Sequence, residues 1–385
     1  MSVIDTNQLK SALERLCLVV PKRGNLPVLE NLRWRVLKDH LELTATDLDN
    51  SLYISIPFVG PAVDSDTDVL VPAKELYQAV KTESAPKLDV RIRDGKFEFR
   101  ANNRTLVLSC VEPKNFPRIP DGELKLHGKM LAPAFEAALH KALFCVSAEP
   151  SRYSTNGLKL EMHDSVFRLI GTDGHRLSLV EGAARATEES TYSTLLLRST
   201  ASILSRLSLA DQPAWVQFST CSSEQEFLVF ILPDGAGLIA RCGQGQFPNY
   251  ENVLPKTPLE ARVVFQREEL LEGLTKLSPT ARKAQNPAVK MELSKSPVSI
   301  KTENDGTANR VALEHARILG KARDVGFNHQ YLTQYVKSLE TDTVSMKLFP
   351  QAISDVVVFD TFRYQHLSDA DTRLTRAINF YPQTP

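Results

Sequence analysis

The sequence motif with the greatest chemical potential is Thr-Asp-Gly-His-Arg-Leu at residues 172–177. Its Asp173, His175 and Arg176 combine a carboxylate, an imidazole and a guanidinium, groups that could perform acid–base chemistry, bind a metal or hold a peptide. Apolar runs flank the motif and its Asp-Gly pair is a turn signal, which predicts two strands joined by a tight loop. Polar side chains at such a loop can serve function without disturbing a core.

Catalysis is one interpretation of this motif. A nucleophile and its base need a third convergent group, and the G-x-S-x-G, H-E-x-x-H and G-x-x-x-x-G-K-[ST] patterns do not occur in the sequence. The corresponding segments Thr46-Asp47-Leu48 and Glu303-Asn304-Asp305 lack the His-Arg pair. We therefore expect no catalytic residue, although a metal-dependent hydrolase activity that disappeared in His175→Ala would restore this interpretation.

The composition is that of a soluble globular protein with balanced charge. Hydrophobic residues make up 42% of the 385 residues, charged residues 24%, and the 46 basic residues equal the 46 acidic ones. Such a chain lacks the basic excess of a typical sequence-specific nucleic-acid binder. Basic side chains could still be concentrated on one face of the protein.

The five cysteines are scattered and form no C-x-x-C pair, which argues against a zinc site and against a disulfide framework. We expect no metal and no cofactor. The sequence shows neither a signal-peptide pattern nor an apolar run of membrane-spanning length. These features predict a reducing, cytoplasmic location and no membrane partner.

An order of helix, alternating strands, second helix and further strands occurs three times, with a period of about 130 residues. Each copy is predicted to hold two helices and about eight short strands, an α+β architecture with helices on one face of an antiparallel sheet. The predicted domains are residues 1–122, 123–256 and 257–364. A C-terminal extension, residues 365–385, follows with a weak helical pattern in Leu374, Ile378 and Tyr381.

Motifs in all three copies resemble the bacterial DNA polymerase III beta subunits, the beta sliding clamps. Besides residues 172–177, the resemblance rests on Leu26-Pro-Val-Leu29, Thr44-Ala-Thr-Asp-Leu48, Val71-Pro-Ala73, Phe116-Pro117, Arg152-Tyr153, Asn156-Gly157, Phe247-Pro-x-Tyr250, Val253-Leu-Pro255 and Gly326-Phe-Asn-x-x-Tyr-Leu332. It implies three domains of the DNA-clamp fold in each chain. It further implies a homodimer in which two chains join head to tail as a ring around duplex DNA.

The function implied by the resemblance is that of a non-catalytic processivity subunit. Its expected partners are duplex DNA of any sequence, the replicative DNA polymerase, the clamp loader and other proteins with a clamp-binding motif. Basic residues on or beside the predicted helices would face the DNA, and they are Lys10, Arg15, Lys74, Lys81, Lys141, Arg198, Arg206, Lys276, Arg282 and Lys337.

The resemblance also assigns site residues. The partner-peptide pocket is expected to contain Thr155, Thr172, Gly174, His175, Arg176, Leu177, Pro248, Asn252, Val253, Val357 and Val358. The expected DNA contacts are Arg23, Arg152, Tyr153 and Arg198. At the dimer interface, an exposed edge strand with Leu106 and Leu108 is expected to meet Leu270, Leu271 or Leu274 of the third domain.

Simpler structural roles remain open for two of these residues, because His175 could bond its own loop and Arg176 could form a salt bridge on a sheet. Departures from the family pattern occur near the expected pocket, for instance at Thr155 and at Glu251-Asn252. They leave open a specialised clamp paralogue with a restricted or occluded pocket.

Overall fold

The computed structural model describes residues 2–22, 26–59, 67–147, 156–187, 191–207, 209, 214–223, 225–282, 287–349, 356–364 and 374–382. Within these ranges the chain forms six α-helices and 25 strands. Their order repeats three times. In each repeat a first helix is followed by a group of strands, then by a second helix and a second group of strands. This order confirms the predicted α+β architecture.

The elements of the three repeats correspond closely. The first repeat contains β1 (Ser2–Asp5), α1 (Thr6–Leu16), β2 (Asn31–Val36), β3 (His40–Thr46), β4 (Asn50–Pro57), β5 (Thr67–Pro72), α2 (Ala73–Lys81), β6 (Lys87–Arg93), β7 (Lys96–Ala101) and β8 (Arg104–Ser109). The central repeat contains β9 (Glu123–Leu131), α3 (Ala132–Leu143), β10 (Gly157–His163), β11 (Val166–Thr172), β12 (Leu177–Ala186), β13 (Tyr192–Leu197), α4 (Arg198–Leu204), β14 (Trp215–Ser222), β15 (Glu226–Ile231) and β16 (Gly237–Arg241). The third contains β17 (Ala261–Gln266), α5 (Arg267–Ala281), β18 (Ala288–Glu292), β19 (Val298–Asn304), β20 (Thr307–Leu313), β21 (Arg317–Gly320), β22 (Val325–Asn328), α6 (His329–Ser338), β23 (Thr343–Phe349), β24 (Val356–Tyr364) and β25 (Leu374–Pro382).

Helix α1 shows how local sequence sets these elements. The side chain of Asp5 caps the helix by accepting a hydrogen bond from the backbone N–H of Gln8 at 3.0 Å. Leu9, Leu13 and Leu16 form the predicted stripe and are all buried. The helix therefore begins at a cap and is held to the sheet by one apolar face.

The chain divides into two compact units, residues 1–133 with 202–242 and residues 134–201 with 243–385. In the first unit, strands pair antiparallel in the order β5-β2-β3-β4-β16-β15-β14-β9, beside a separate sheet β1-β6-β7-β8. In the second unit the order is β13-β10-β11-β12-β25-β24-β23-β17-β21, beside the sheet β20-β19-β18-β22. The two units thus repeat one pairing scheme.

The segment Leu374–Pro382 is a strand, so the helical pattern predicted for it is wrong. Strand β25 pairs with β24 and β12, just as β16 pairs with β15 and β4. The segment therefore takes the place of a last strand in the third repeat. The predicted third domain ends at residue 364, and the predicted extension follows it. This boundary falls between β24 and β25, two strands that pair with each other.

The core of the third repeat lies between its two helices and its sheets. Leu270 and Leu274 of α5 and Tyr335 of α6 are fully buried against strand residues such as Ile300 and Met346. Burial of this apolar surface is the main source of stability for the repeat. In the described part of the chain, no helix is both long enough and apolar enough to cross a membrane.

Candidate functional site

The loop between β11 and β12 has a fixed conformation that follows from its sequence. The hydroxyl of Thr172 donates to the carbonyl of Arg176 at 2.7 Å and accepts from the N–H of Gly174 at 3.1 Å. The carboxylate of Asp173 accepts hydrogen bonds from the N–H groups of His175 and Arg176, both at 3.0 Å. Gly174 has a φ of 86°, a conformation that glycine adopts without strain. The predicted turn is confirmed.

Arg176 is buried, with 7% of its surface exposed. Its Nε donates to Asp173 at 2.9 Å, its Nη1 to Gln334 at 2.7 Å and its Nη2 to the carbonyl of Phe144 at 2.6 Å. The guanidinium also lies between two rings, 5.1 Å from the centroid of Phe144 and 4.2 Å from that of Tyr331. Arg176 therefore positions the loop, and this argues against its predicted contact with a bound peptide.

His175 is the exposed polar side chain of the loop. Its imidazole stacks on the ring of Tyr331, with 6.3 Å between centroids and an interplanar angle of 30°. Burial and the nearby charge of Asp173 raise the pKa of the Tyr331 hydroxyl, so this ring stays neutral beneath the imidazole. The arrangement leaves His175 exposed on a rigid aromatic support.

Tyr331 is a site residue that the sequence did not identify as such. It lies in the Gly-Phe-Asn-x-x-Tyr-Leu motif, where the side chain of Asn328 caps α6 by accepting from the N–H groups of Gln330 and Tyr331. The motif marked the start of the helix. Nothing in its spacing indicates a contact with Arg176, because that contact joins elements far apart in the chain.

An apolar cluster borders the loop. Its buried members are Ile170, Leu177, Leu179 and Tyr250, and the partly buried side chains packed against them are Phe247, Leu254 and Phe349. Leu177, at the end of the loop, therefore lies in the cluster, where the resemblance implies a pocket wall. Half-buried aromatic and aliphatic side chains beside a fixed polar loop are typical of a surface that binds an apolar anchor.

Tyr250 is held in this cluster by its hydroxyl. That hydroxyl donates to Glu161 at 2.8 Å, and the ammonium of Lys159 lies 5.3 Å from the centre of its ring. Burial and the carboxylate of Glu161 raise the pKa of Tyr250 to about 12. The hydroxyl therefore remains a donor throughout the physiological pH range, and it fixes the ring as part of the wall.

The segment around Tyr250 carries three more of the predicted pocket residues. Pro248, Asn252 and Val253 are exposed, and Val253 retains 45% of its surface. They flank Phe247 and Tyr250, which pack in the cluster with Leu177. The structure therefore brings the loop and the Phe-Pro segment together, as the resemblance implied.

The predicted contact of the remaining pocket residues with this cluster stays a prediction. Val357 and Val358 lie on β24, whose neighbours are β23 and β25. The strand beside Leu177 is β25, with Phe380 as the register partner of both Leu177 and Val358. The backbone of β25, rather than that of β24, borders the loop. Thr155 lies outside the described residues.

Three of the predicted DNA contacts, Arg23, Arg152 and Tyr153, also lie outside the described residues. Arg198 begins α4, and its guanidinium donates to the carbonyl of Val146. Among the basic residues expected to face DNA, Lys141 is only 6% exposed, which contradicts its placement on a solvent face. Lys81, Arg206, Lys276, Arg282 and Lys337 are exposed.

The predicted dimer contacts divide into two groups. Leu106 and Leu108 are half-buried on β8, a strand at the edge of its sheet. Leu270 and Leu274 are fully buried within the core of the third repeat, so their predicted contact with a second chain is wrong. Of the three α5 residues, Leu271 alone keeps partial exposure.

The site has no metal-binding chemistry in the described part of the chain, where no group of three or more His, Cys, Asp or Glu side chains could hold an ion. The five cysteines are free thiols. What the site offers is an apolar wall, an exposed imidazole and a loop fixed by a buried arginine. Such a surface is suited to recognition.

Three family models match consecutive parts of the chain. They are the N-terminal, central and C-terminal domains of the DNA polymerase III beta subunit, at residues 2–120, 130–249 and 251–361. The beta sliding clamp of Pseudomonas putida is 25% identical over 369 residues, covering 91% of this chain and 96% of that protein. The beta sliding clamp of Rickettsia bellii is 24% identical, covering 92% and 97%.

Solved structures show the same fold. The DNA polymerase sliding clamp of Bacillus subtilis aligns with a TM-score of 0.83 at 17% identity, covering 100% of this chain and 98% of that one. A Pseudomonas aeruginosa sliding clamp bound to griselimycin aligns with a TM-score of 0.83 at 23% identity, covering 100% and 99%. With three domain models in consecutive order along the chain, this protein belongs to the DNA polymerase III beta-subunit family.

Proposed function

We propose that this protein is a DNA sliding clamp, a non-catalytic subunit that encircles duplex DNA and tethers the replicative polymerase. The observation that carries the proposal is the consecutive match of all three beta-subunit domains. Relatives that align over more than 90% of both chains bear the name beta sliding clamp. A clamp of this kind works on the chromosome, in the bacterial cytoplasm.

The interaction with DNA is electrostatic and independent of sequence. Exposed Lys and Arg side chains at or near the helices, such as Lys81, Lys276 and Lys337, attract phosphates without reading bases. The equal numbers of basic and acidic residues fit this role, because basic groups are needed only on the DNA-facing surface. Binding of this type weakens as salt rises and lets the protein move along the duplex.

Ring closure by a second copy is supported by two sheet edges. Strand β8 pairs only with β7, and β20 only with β19, among the strands that the structure describes. Val107 on β8 is 52% exposed between Leu106 and Leu108, so this edge is apolar as well as unpaired. In the proposed homodimer, β8 of one copy pairs with β20 of the other. Two-fold symmetry gives two such interfaces, so both edges of each copy are covered.

Partner proteins bind at the loop after β11. Their peptide places apolar anchors against Leu177, Phe247 and Val253, while His175 contacts its polar groups. The polymerase, the clamp loader and other proteins with a clamp-binding motif compete for this surface. The proposal gives the loop no catalytic role, because the bonds of Arg176 to Gln334 and to the carbonyl of Phe144 commit it to positioning the loop.

A topological assay tests the proposal. The protein is loaded on closed circular DNA, and retention is measured before and after the circle is linearised. A dimeric ring is retained on the circle and lost from the linear form, and equal retention on both would reject the ring. Mass measurement by light scattering at near-physiological salt should give a dimer.

A matched pair of variants tests the closure. Val107→Lys places a charge on the β8 edge and should yield monomers that are lost from the circle. Leu319→Lys also introduces a lysine, at a residue that is 63% exposed on β21, a strand outside the proposed pairing, and should remain dimeric. Monomers in both variants, or in neither, would contradict the proposed pairing.

A further inference from the structure

A second pocket lies in the unit formed by residues 1–133 and 202–242. It is a cavity of about 160 Å³ beside the loop that joins β3 to β4. Phe227 and Ile239 form its apolar floor, and Leu48, Arg118 and Arg241 are among the residues at its border. Half of its ten lining residues are apolar, and the polar half includes Asp49 as well as the two arginines.

The loop beside this pocket has the same internal bonding as the loop after β11. The hydroxyl of Thr46 donates to the carbonyl of Asn50 at 3.0 Å and accepts from the N–H of Leu48 at 3.1 Å. The carboxylate of Asp47 accepts from the N–H groups of Asp49 and Asn50, at 3.0 and 2.6 Å. The first repeat therefore presents the same rigid loop, with different side chains at its tip.

Leu48 is held at the pocket border in an unfavourable conformation. Its φ is 81°, close to the 86° of Gly174 at the same position of the central loop. A leucine in this region of backbone space is strained, whereas glycine is not. Leu48 is nevertheless 44% exposed, so burial in the core does not offset the strain. A fixed, exposed apolar side chain at the mouth of a pocket is suited to contact a ligand.

The border also carries two guanidinium groups. Arg241 lies 3.7 Å from Asp49, and Arg118 lies 3.1 Å from Asp121. All four side chains are about half exposed or more. Exposed ion pairs contribute little stability, so a carboxylate from a ligand can replace the present partners with small loss. Arginine binds such a carboxylate in bidentate geometry.

We propose that this pocket is a second docking site, for a short acidic peptide segment that inserts one phenylalanine side chain. The phenyl ring lies on Phe227 and Ile239 beneath Leu48, and flanking carboxylates bind Arg118 and Arg241. The volume fits a single ring, since a cavity of about 150 Å³ can hold benzene. This site is separate from the loop after β11, so one chain can hold two peptide segments at once.

Methyl NMR on the full-length protein tests the proposal, because Ile239 lies in the floor and Ile170 lies in the central cluster. The probe is the peptide N-acetyl-Asp-Phe-Asp-amide, and the control peptide has alanine in place of phenylalanine. We expect a saturable shift of the Ile239 methyl with the phenylalanine peptide and none with the alanine peptide. The dissociation constant read from this shift is the quantity compared among variants.

Three variants complete the test. Arg241→Glu should weaken binding at least about tenfold, because it replaces a charge-assisted contact by a repulsive one. Leu48→Gly relieves the backbone strain and so preserves the fold, yet it should weaken binding because it removes the apolar border. Arg93→Glu makes the same charge change at an exposed residue of β6 and should leave affinity unchanged.

Three outcomes would overturn the proposal. One is the absence of a saturable Ile239 shift up to about 10 mM peptide, a range that covers weak single-anchor binding. Another is a shift confined to Ile170, which would place the peptide at the central loop. The third is equal peptide affinity in Arg241→Glu and Arg93→Glu, which would show that affinity depends only on the net charge of the protein.

Discussion

The loops after β3 and after β11 share a backbone but differ in what they are joined to. In the first, the carboxylate of Asp47 accepts hydrogen bonds from the side-chain amide of Asn50, at 3.2 and 3.3 Å, and the neighbouring Asp49 pairs with Arg241. In the second, Asp173 bonds Arg176, which continues to Phe144 and α6. A threonine, an aspartate and a left-handed residue set the shape of both loops.

The difference lies in one side chain, at the fifth position of the loop. Asparagine is short and binds Asp47 of its own loop, whereas arginine is long enough to reach α6 and the residue that follows α3. The same local structure thus carries a buried arginine in the central repeat and an uncharged amide at the same position in the first repeat. Stability should therefore respond differently to identical substitutions in the two loops.

The largest expected difference comes from replacing each aspartate by asparagine. Asp173→Asn removes the carboxylate from a buried guanidinium and should lower the free energy of unfolding by about 3 kcal/mol. Asp47→Asn keeps an acceptor for the loop N–H groups and should change it by less than about 0.5 kcal/mol. Urea unfolding of both variants measures this. Equal losses would show that the two loops are anchored alike.

A second difference concerns Tyr331, which supports the central loop only. Tyr331→Leu removes the ring that lies 4.2 Å from the guanidinium of Arg176 and should lower the free energy of unfolding by about 2 kcal/mol. Tyr331→Phe keeps the ring and serves as the control. Peptide affinity at the central loop should fall with Tyr331→Leu because His175 loses its support. A loss of similar size with phenylalanine would assign the effect to the hydroxyl.

Exchanging the left-handed residues tests the shared backbone. Gly174→Leu should lower the free energy of unfolding by roughly 1–2 kcal/mol through backbone strain, as left-handed backbone does for residues with a Cβ. The space beside Gly174 is open, with no atom within 4 Å of an added Cβ, so a clash cannot explain the loss. Leu48→Gly should be neutral or stabilising. Thermal unfolding of both variants gives the comparison, and a loss in both would show that Leu48 is not strained.

The smallest expected effect is a dependence of stability on pH in the first loop. Burial raises the pKa of Asp47, although hydrogen bonds from Asn50 and Asp49 oppose the change. Since the folded protein binds this proton more tightly than the unfolded chain does, ionisation of Asp47 costs stability above the raised pKa. That cost disappears as the pH falls through it.

Urea unfolding of the wild type and of Asp47→Asn across this acid range checks the sign. Any advantage of the asparagine variant should be present near neutral pH and should shrink on acidification. An advantage that grows on acidification would mean that the carboxylate is stabilised by folding.

The sequence predicted the repeats and the loop because these depend on local signals. Alternating apolar residues mark strands, and the Thr-Asp pair marks the loop. It failed for β25, where Leu374, Ile378 and Tyr381 have helical spacing but the backbone pairs with two strands. Pairing with β12 joins residues about 200 positions apart, and no local pattern carries that information.

The role of Arg176 could not be predicted for a related reason. A loop arginine is usually exposed, and its burial here depends on Phe144, Gln334 and Tyr331, which only the fold brings together. The apolar stripe of α5 poses the opposite problem. Leu270 and Leu274 are apolar whether they face a core or a partner chain, so the stripe alone cannot distinguish the two.

The buried thiol of Cys145 is an intrinsic chemical probe of opening at the central loop. Cys145 follows the residue whose carbonyl binds Arg176, and it is the only cysteine in residues 134–201 and 243–385. Burial raises its pKa, although the charge of Arg176 opposes this, so the thiol is inert while the loop stays in place. Its rate of alkylation therefore records how often this part of the molecule opens, without any added label.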